Sequence, residues 1–160
     1  MRSTHRDLSR RRFLACSAPL IALPSFVPGM LSASPAERLA VGHVGIGGRG
    51  GSLLGMTRGN AQVEVAALCD VDKGHLARAR KAAGGKPQLA ADYRRLMDNK
   101  ALDGIVVAAP DHWHATITIA ACRAGKHVYC EKPLSHNIAE GRRAVRAARK
   151  YDRMVQVGIN

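Results

Sequence analysis

The stretch "VGIGGRG", residues 44–50, decides the fold. It contains a G-x-G-x-x-G pattern between an apolar run at 39–44 and a segment at 52–58 that can form a helix. In a strand–turn–helix, such glycines allow a tight turn, a close approach of the backbone to a pyrophosphate, and close packing of the helix on the sheet. Helix N-terminal amides then attract the anion. We therefore expect a cofactor-binding loop formed by Gly45, Gly47, Gly48, Arg49 and Gly50.

The residue that ends the next strand supports this interpretation, since glycine-rich turns alone are common. The apolar run 63–69 leads to Asp70, which lies 20 residues after Gly50. A dinucleotide-binding unit places an acidic residue at this separation, where its carboxylate accepts hydrogen bonds from the adenosine ribose. A carboxylate also repels a 2′-phosphate, so we expect NAD rather than NADP.

The rest of the chain continues to alternate between strands and helices. Turn signals such as Gly84-Gly85 and Gly125 end helical segments, and buried apolar runs follow them. This alternation predicts an α/β fold with a doubly wound parallel sheet of the Rossmann type. The predicted strands are 102–109, 126–130 and 153–158, and the predicted helices are 73–83, 92–99, 114–125 and 137–151.

Polar residues follow two further predicted strands. They are "PDHWH" at 110–114 and "EKP" at 131–133. Ligands bind beyond the carboxyl ends of parallel strands, so these clusters and Asp70 predict a shared site. Simpler interpretations stay open: the histidines could be polar groups at a helix N-terminus, and Trp113 could cover the sheet edge. His43, inside the first strand, is expected to be a core or edge residue rather than a ligand, and Asp72 a helix cap.

The N-terminal segment has the pattern of an export signal. Residues 9–14, "SRRRFL", resemble the twin-arginine signal at every specified position, and an apolar segment at 13–27 follows them. That segment is short for a membrane span and contains prolines, so no stable membrane anchor is expected. We expect residues 1–36 to be a signal peptide cut after Ala36, 37–160 to be the nucleotide-binding domain, and the protein to be periplasmic or secreted through the twin-arginine machinery.

Composition argues against two other classes of function. The net charge is +13, but aromatic residues make up 4% of the chain, which is poor for stacking on bases, so nucleic-acid binding is not expected. Many of the basic residues fall in 140–153, whose pattern indicates a solvated helix face. The four cysteines lack zinc-type spacing, so no metal site is expected.

Together the motifs resemble the Gfo/Idh/MocA family, which includes glucose–fructose oxidoreductase and inositol dehydrogenase. The resemblance rests on "GIGGRG", Asp70, "APDHWHA" at 109–115, "AGKHVYCEKPLSH" at 124–136 and "VQVG" at 155–158. It implies an oxidoreductase that acts on a sugar with a nicotinamide cofactor and forms a homo-oligomer. It also implies that Lys132 and His114 are catalytic, Lys132 by assisting proton transfer at the carbinol, and that the cofactor is bordered by Pro110, His112, Trp113, Glu131, Lys132 and Pro133.

Members of this family carry a second α/β domain that supplies most sugar contacts. That domain would begin where this sequence ends, so we expect the chain by itself to bind cofactor without efficient catalysis. A NAD-dependent glycosidase and a non-catalytic cofactor-binding module stay open as alternatives.

Overall fold

The computed structural model describes residues 38–159 of the chain. The predicted signal peptide and its cleavage site lie outside these residues.

A six-stranded parallel sheet forms the centre of the fold, with strand order β3-β2-β1-β4-β5-β6. The order reverses between β1 and β4, the position at which ligands bind in doubly wound sheets. This confirms the predicted doubly wound architecture. The strands are β1 (Leu39–Val44), β2 (Val63–Cys69), β3 (Gln88–Ala90), β4 (Gly104–Val107), β5 (His127–Cys130) and β6 (Val155–Val157).

Helices connect the strands and pack on the sheet. Asp72 caps the second helix by accepting a hydrogen bond from the His75 amide, as predicted, and Asn137 caps the last helix in the same way through the Glu140 amide. The helices are α1 (Gly48–Arg58), α2 (Lys73–Ala83), α3 (Arg94–Asp98), α4 (Asp111–Arg123) and α5 (Ile138–Lys150).

The structure differs from the predicted elements in three places. Strand β3 was not predicted, because its three residues are too short to show a periodic pattern. Helix α1 begins at Gly48 rather than near residue 52, so the glycine loop runs directly into the helix. Helix α4 begins at Asp111, which places His112 and Trp113 in its first turn rather than in a loop.

Two apolar clusters hold the sheet between the helices. Leu68 of β2 packs with Ile46, Leu54 and Ala79 on the side of α1 and α2. Its neighbours along β2 belong to the other cluster, with α4 and α5, because successive strand residues point to opposite faces. The carboxyl ends of β1, β2, β4 and β5 are thereby held at one rigid edge.

His43 lies in this core, as expected, and is fully buried in β1. Neither ring nitrogen has a hydrogen-bond partner. Burial lowers the pKa of His43 to about 4, so the ring is neutral at neutral pH. The thiols of Cys69, Cys122 and Cys130 are also buried and free.

Among residues 38–159, no helix is both long and apolar enough to cross a membrane.

Candidate functional site

The glycine loop connects β1 to α1 in a conformation that other residues could not adopt. Gly45 has φ of 80°, and a Cβ there would lie 2.6 Å from the backbone of Ala108 and Ala109. A Cβ on Gly50 would collide with the Gly45 carbonyl oxygen. The glycines thus bring α1 against the end of β1, where the N-terminal end of a helix attracts an anion. The loop has the shape required to cradle a phosphate group.

Asp70, predicted to bind the ribose, lies beside this loop at the end of β2. Its Oδ2 accepts a hydrogen bond from the Ile46 amide at 2.8 Å, and its Oδ1 accepts one from the Asp72 amide at 2.9 Å. His75 Nδ1 lies 3.2 Å from Oδ2. A carboxylate accepts about four hydrogen bonds, so Asp70 keeps capacity for a ligand hydroxyl while it ties the loop to α2.

A cavity of about 840 Å³ opens between the glycine loop and the ends of β2 and β4. Its volume lies within the range of small-molecule and cofactor sites, about 300–1,000 Å³. Of the predicted cofactor-binding residues, the cavity is lined by Gly45, Gly47, Gly48, Asp70, Pro110 and Trp113.

The wall opposite the glycine loop is aromatic. The Trp113 and Tyr93 ring centroids are 6.1 Å apart at an interplanar angle of 59°, and the Arg94 guanidinium lies 4.9 Å from the centre of the Tyr93 ring. Trp113 also contacts the His112 ring, with centroids 5.9 Å apart. A flat ring such as adenine could pack against these faces.

The second predicted cluster, 131–133, is joined to the glycine loop by an ion pair. Arg49 Nε donates to Glu131 Oε1 at 2.9 Å, and the Glu131 carboxylate is 4% exposed against 40% for the Arg49 side chain. The hydrogen bond from Arg49 lowers the pKa of Glu131 below its ordinary value. Glu131 Oε2 also accepts from the Lys132 amide at 3.2 Å. The two ends of the predicted site are therefore mechanically connected.

His114 connects the same cluster to the end of β4. Its ring is 1% exposed, with Nδ1 2.6 Å from the Pro133 carbonyl oxygen and Nε2 2.7 Å from the Ala109 carbonyl oxygen. Burial by itself lowers the pKa of His114, but the nearby Cys130 side chain and the hydrogen bonds to the two carbonyls outweigh it and raise the pKa to about 9. His112, two residues earlier in the same helix, is exposed.

Lys132 is exposed on the loop between Glu131 and Pro133. Its neighbour Glu131 forms an ion pair with Arg49 and not with Lys132. The side chain is free to reach a ligand bound in front of the loop. Its catalytic role, like that of His114, stays a prediction.

Several residues that line the cavity are not among those predicted from the sequence. His75, in the first turn of α2, lies so close to Gly47 that a Cβ there would be 2.6 Å from its ring. The sequence does indicate the position of His75, because the third residue after the capping Asp72 lies in the first turn of a helix that starts at the sheet edge. The segment 92–94 also lines the cavity, and it follows β3, which the pattern did not reveal.

Comparison with known proteins agrees with this geometry. Residues 39–159 match the model of the family described as "Oxidoreductase family, NAD-binding Rossmann fold". The chain is 36% identical over 126 residues to inositol 2-dehydrogenase 1 of Saccharopolyspora erythraea. The aligned region covers 70% of this chain and 37% of that protein. It is 34% identical over 134 residues to a glycosyl hydrolase family 109 protein of Stenotrophomonas maltophilia. This aligned region covers 78% of this chain and 29% of that protein.

Among solved structures, myo-inositol 2-dehydrogenase of Lactobacillus plantarum superimposes with a TM-score of 0.70 at 26% identity, over 76% of this chain and 36% of that one. The chain thus spans about a third of the length of these proteins. The family match, the parallel sheet and the glycine loop agree, and the chain belongs to the Gfo/Idh/MocA oxidoreductase family, of which it carries the Rossmann fold.

Proposed function

We propose that this chain is the NAD-binding part of an exported oxidoreductase that acts on a sugar or polyol. The observation that carries the proposal is the cavity between the glycine loop, Asp70 and the aromatic wall; the loop that carries Lys132 does not line this cavity but is tied to the glycine loop. The Arg49–Glu131 ion pair joins the two parts, so one extended cofactor could contact both.

The residues around the cavity suit the adenosine half of a dinucleotide. The amides of the glycine loop and of the N-terminal end of α1 would hold the pyrophosphate, since the N-terminus of a helix attracts anions. Asp70 would accept hydrogen bonds from the ribose hydroxyls and would repel a 2′-phosphate, which favours NAD over NADP. Trp113 and Tyr93 would contact the adenine ring.

The nicotinamide half would then extend toward residues 131–133. NAD supplies the hydride acceptor when a carbinol is oxidised. The exposed Lys132 ammonium would contact the substrate hydroxyl and take part in moving its proton. Glu131 and Pro133 flank Lys132 and shape the loop that holds it.

The substrate class rests on relatives. Both inositol 2-dehydrogenases described above carry a polyol in their names, and they extend well beyond the region that this chain matches. We infer that a second domain supplies most contacts to the sugar or polyol, and that the intact enzyme is a homo-oligomer. The present chain supplies the cofactor site and Lys132.

The test of this function uses the longer protein with a panel of sugars and polyols. We expect NADH to form with at least one of them, and Lys132→Ala to abolish turnover while the affinity for NAD is retained. Lys100→Ala, which removes an exposed lysine in the loop before β4, should behave as the parent. Full turnover by Lys132→Ala would refute the role of Lys132. NAD binding with no oxidation of any substrate would favour a non-catalytic cofactor-binding module.

A second candidate function is a NAD-dependent glycosidase. The family 109 relative, 34% identical to this chain, is the observation that favours it. Such an enzyme would keep its cofactor bound and regenerate it within each cycle. Cleavage of aryl glycosides without net formation of NADH would establish this activity and would displace the oxidoreductase.

Export through the twin-arginine route completes the proposal and rests on "SRRRFL" at 9–14. A protein exported already folded can take up NAD in the cytoplasm and carry it out. Changing both Arg10 and Arg11 to Lys should retain the protein in the cytoplasmic fraction. Unimpaired appearance in the periplasm would remove the export part of the proposal and leave the cofactor site unaffected.

A further inference from the structure

The imidazole ring of His114 lies between two carbonyl groups from different parts of the chain. Nδ1 is 2.6 Å from the Pro133 oxygen, and Nε2 is 2.7 Å from the Ala109 oxygen. Both distances are short for an N–H···O hydrogen bond and fall in or just below the range of charge-assisted ones. The ring is 1% exposed, so water does not satisfy either nitrogen.

The chemistry of these partners fixes the protonation state of the ring. A carbonyl oxygen only accepts hydrogen bonds, and a neutral imidazole has a single N–H to donate. In either neutral tautomer, one nitrogen lone pair would face a carbonyl oxygen at less than 3 Å, which is repulsive. The imidazolium form donates from both nitrogens and satisfies both carbonyls.

The surroundings of the ring favour this charge. From β5, the titratable side chain near His114 is the Cys130 thiol, which donates to the Glu131 carbonyl and brings no positive charge against the ring. The end of β4 contributes the Ala109 carbonyl, and the 131–133 loop contributes the Pro133 carbonyl. The Glu131 carboxylate is directed to Arg49 instead.

The two carbonyls belong to different parts of the site, the end of β4 and the 131–133 loop. Ala109 lines the cavity at the end of β4, and Pro133 directly follows Lys132. The ring therefore attaches the loop that bears Lys132 to the edge of the sheet, in addition to the Arg49–Glu131 pair.

We propose that His114 is a positioning residue, which as an imidazolium donates to Ala109 and Pro133 and so holds the 131–133 loop in place, rather than a group that exchanges protons with a substrate. The attachment of the loop stands on the structure of this chain alone. Its consequence for Lys132 during turnover rests on the proposed function.

The first experiment is a pH titration of the ¹⁵N-histidine-labelled chain by NMR. We expect both ring nitrogens of His114 to show protonated shifts at neutral pH and to titrate near the raised pKa, about 9. His136 is exposed on the loop that follows and serves as the internal reference for a solvated histidine. A His114 ring with one unprotonated nitrogen at neutral pH would overturn the proposal.

The second experiment measures amide hydrogen exchange at Lys132 and Leu134, expressed as protection factors. Because the folded-state pKa is raised, the attachment is complete below the pKa of a free histidine and is lost as the pH rises through about 9. Protection of both amides should fall over this window. In His114→Gln, which can donate to only one of the carbonyls, protection should already be about tenfold lower at neutral pH, the loss expected for one charge-assisted hydrogen bond.

The matched control is His136→Gln, which should follow the parent. Equal protection in parent and His114→Gln would show that the ring does not hold the loop. Should His114→Gln fail to fold, the titration and the pH dependence of exchange in the parent chain still decide the matter. Neither experiment involves NAD, so failure of the proposed function would leave these outcomes unchanged. Likewise, failure of these experiments would leave the proposed NAD-binding function unaffected.

Discussion

Arg49 and Glu131, 82 residues apart in sequence, form an ion pair with 2.9 Å between Nε and Oε1. Arg49 occupies a variable position of the glycine motif, and Glu131 begins the "EKP" segment. The pair therefore joins the segment predicted to hold the pyrophosphate to the segment predicted to carry the chemistry. Neither sequence motif by itself indicates this contact.

Removing the cation of this pair should affect stability in a pH-dependent way. The Arg49 hydrogen bond lowers the pKa of Glu131, so the stabilisation is present above the pKa of a free glutamate and is lost as the pH falls through the folded-state value. We expect Arg49→Gln to lower the melting temperature at neutral pH and to have little effect once Glu131 is protonated.

Calorimetry across acidic and neutral pH checks this prediction. Arg143→Gln, which removes an exposed arginine on α5, is the matched control and should leave the melting temperature unchanged. An equal loss for Arg49→Gln at all pH values would mean that Arg49 stabilises the chain by packing, not through the carboxylate.

Asp70 should set the preference between the two nicotinamide dinucleotides. Asp70→Asn keeps an oxygen for the Ile46 amide but removes the charge that repels a 2′-phosphate. We expect the ratio of the dissociation constants for NADP and NAD to fall by about tenfold, since one unfavourable charge contact is worth about 1 kcal/mol or more. Titration calorimetry gives both constants, and Asp98→Asn, at an exposed position in α3, should leave the ratio unchanged. An unchanged ratio in Asp70→Asn would show that the 2′-position of the adenosine ribose does not lie near Asp70.

The buried His43 should make the chain sensitive to acid. Its folded-state pKa, about 4, is below that of a free histidine, so the unfolded chain binds the extra proton as the pH falls from 6.5 to about 4. One pKa unit is worth about 1.4 kcal/mol, so this window corresponds to a loss of about 3 kcal/mol of unfolding free energy. In His43→Leu, we expect this loss to disappear and the stability at neutral pH to be equal or higher, because no polar ring is left without partners. Urea unfolding across that window measures it, and an unchanged slope would contradict the account.

Lys126 stabilises the connection between α3 and β4. Its side chain is buried, and Nζ donates to the Asn99 carbonyl at 2.6 Å and to the Leu102 carbonyl at 3.0 Å. Lys126→Met retains the apolar stem and leaves both carbonyls without this donor. We expect the unfolding free energy to fall by about 2 kcal/mol.

Urea unfolding compares this variant with Lys100→Met, at an exposed position in the same connection, which should change stability by less than about 0.5 kcal/mol. Equal stability of both variants would show that water replaces the lysine at the two carbonyls.

Much of the fold follows from local patterns in the sequence. The apolar runs 39–44 and 63–69 match β1 and β2 because buried parallel strands are continuously apolar. Strand β3 was missed because its three residues are stabilised by pairing with β2, a non-local interaction. Likewise, Asp70 is identified by its spacing from Gly50, whereas Tyr93 reaches the cavity because it follows β3, through tertiary packing that no local pattern encodes.

The central claim is that the glycine loop holds NAD in the cavity. The fluorescence of Trp113 can report binding, since Trp113 lines the cavity and is the single tryptophan of the chain. Titration of the 160-residue chain with NAD should quench this fluorescence to saturation with one site. Gly50→Ala, whose new methyl group would collide with the Gly45 carbonyl, should weaken binding by at least about tenfold, whereas Gly55→Ala, in open space on the same helix, should bind as the parent. A chain that is folded by circular dichroism and shows no saturable response to NAD, or equal binding by both glycine variants, would contradict the claim.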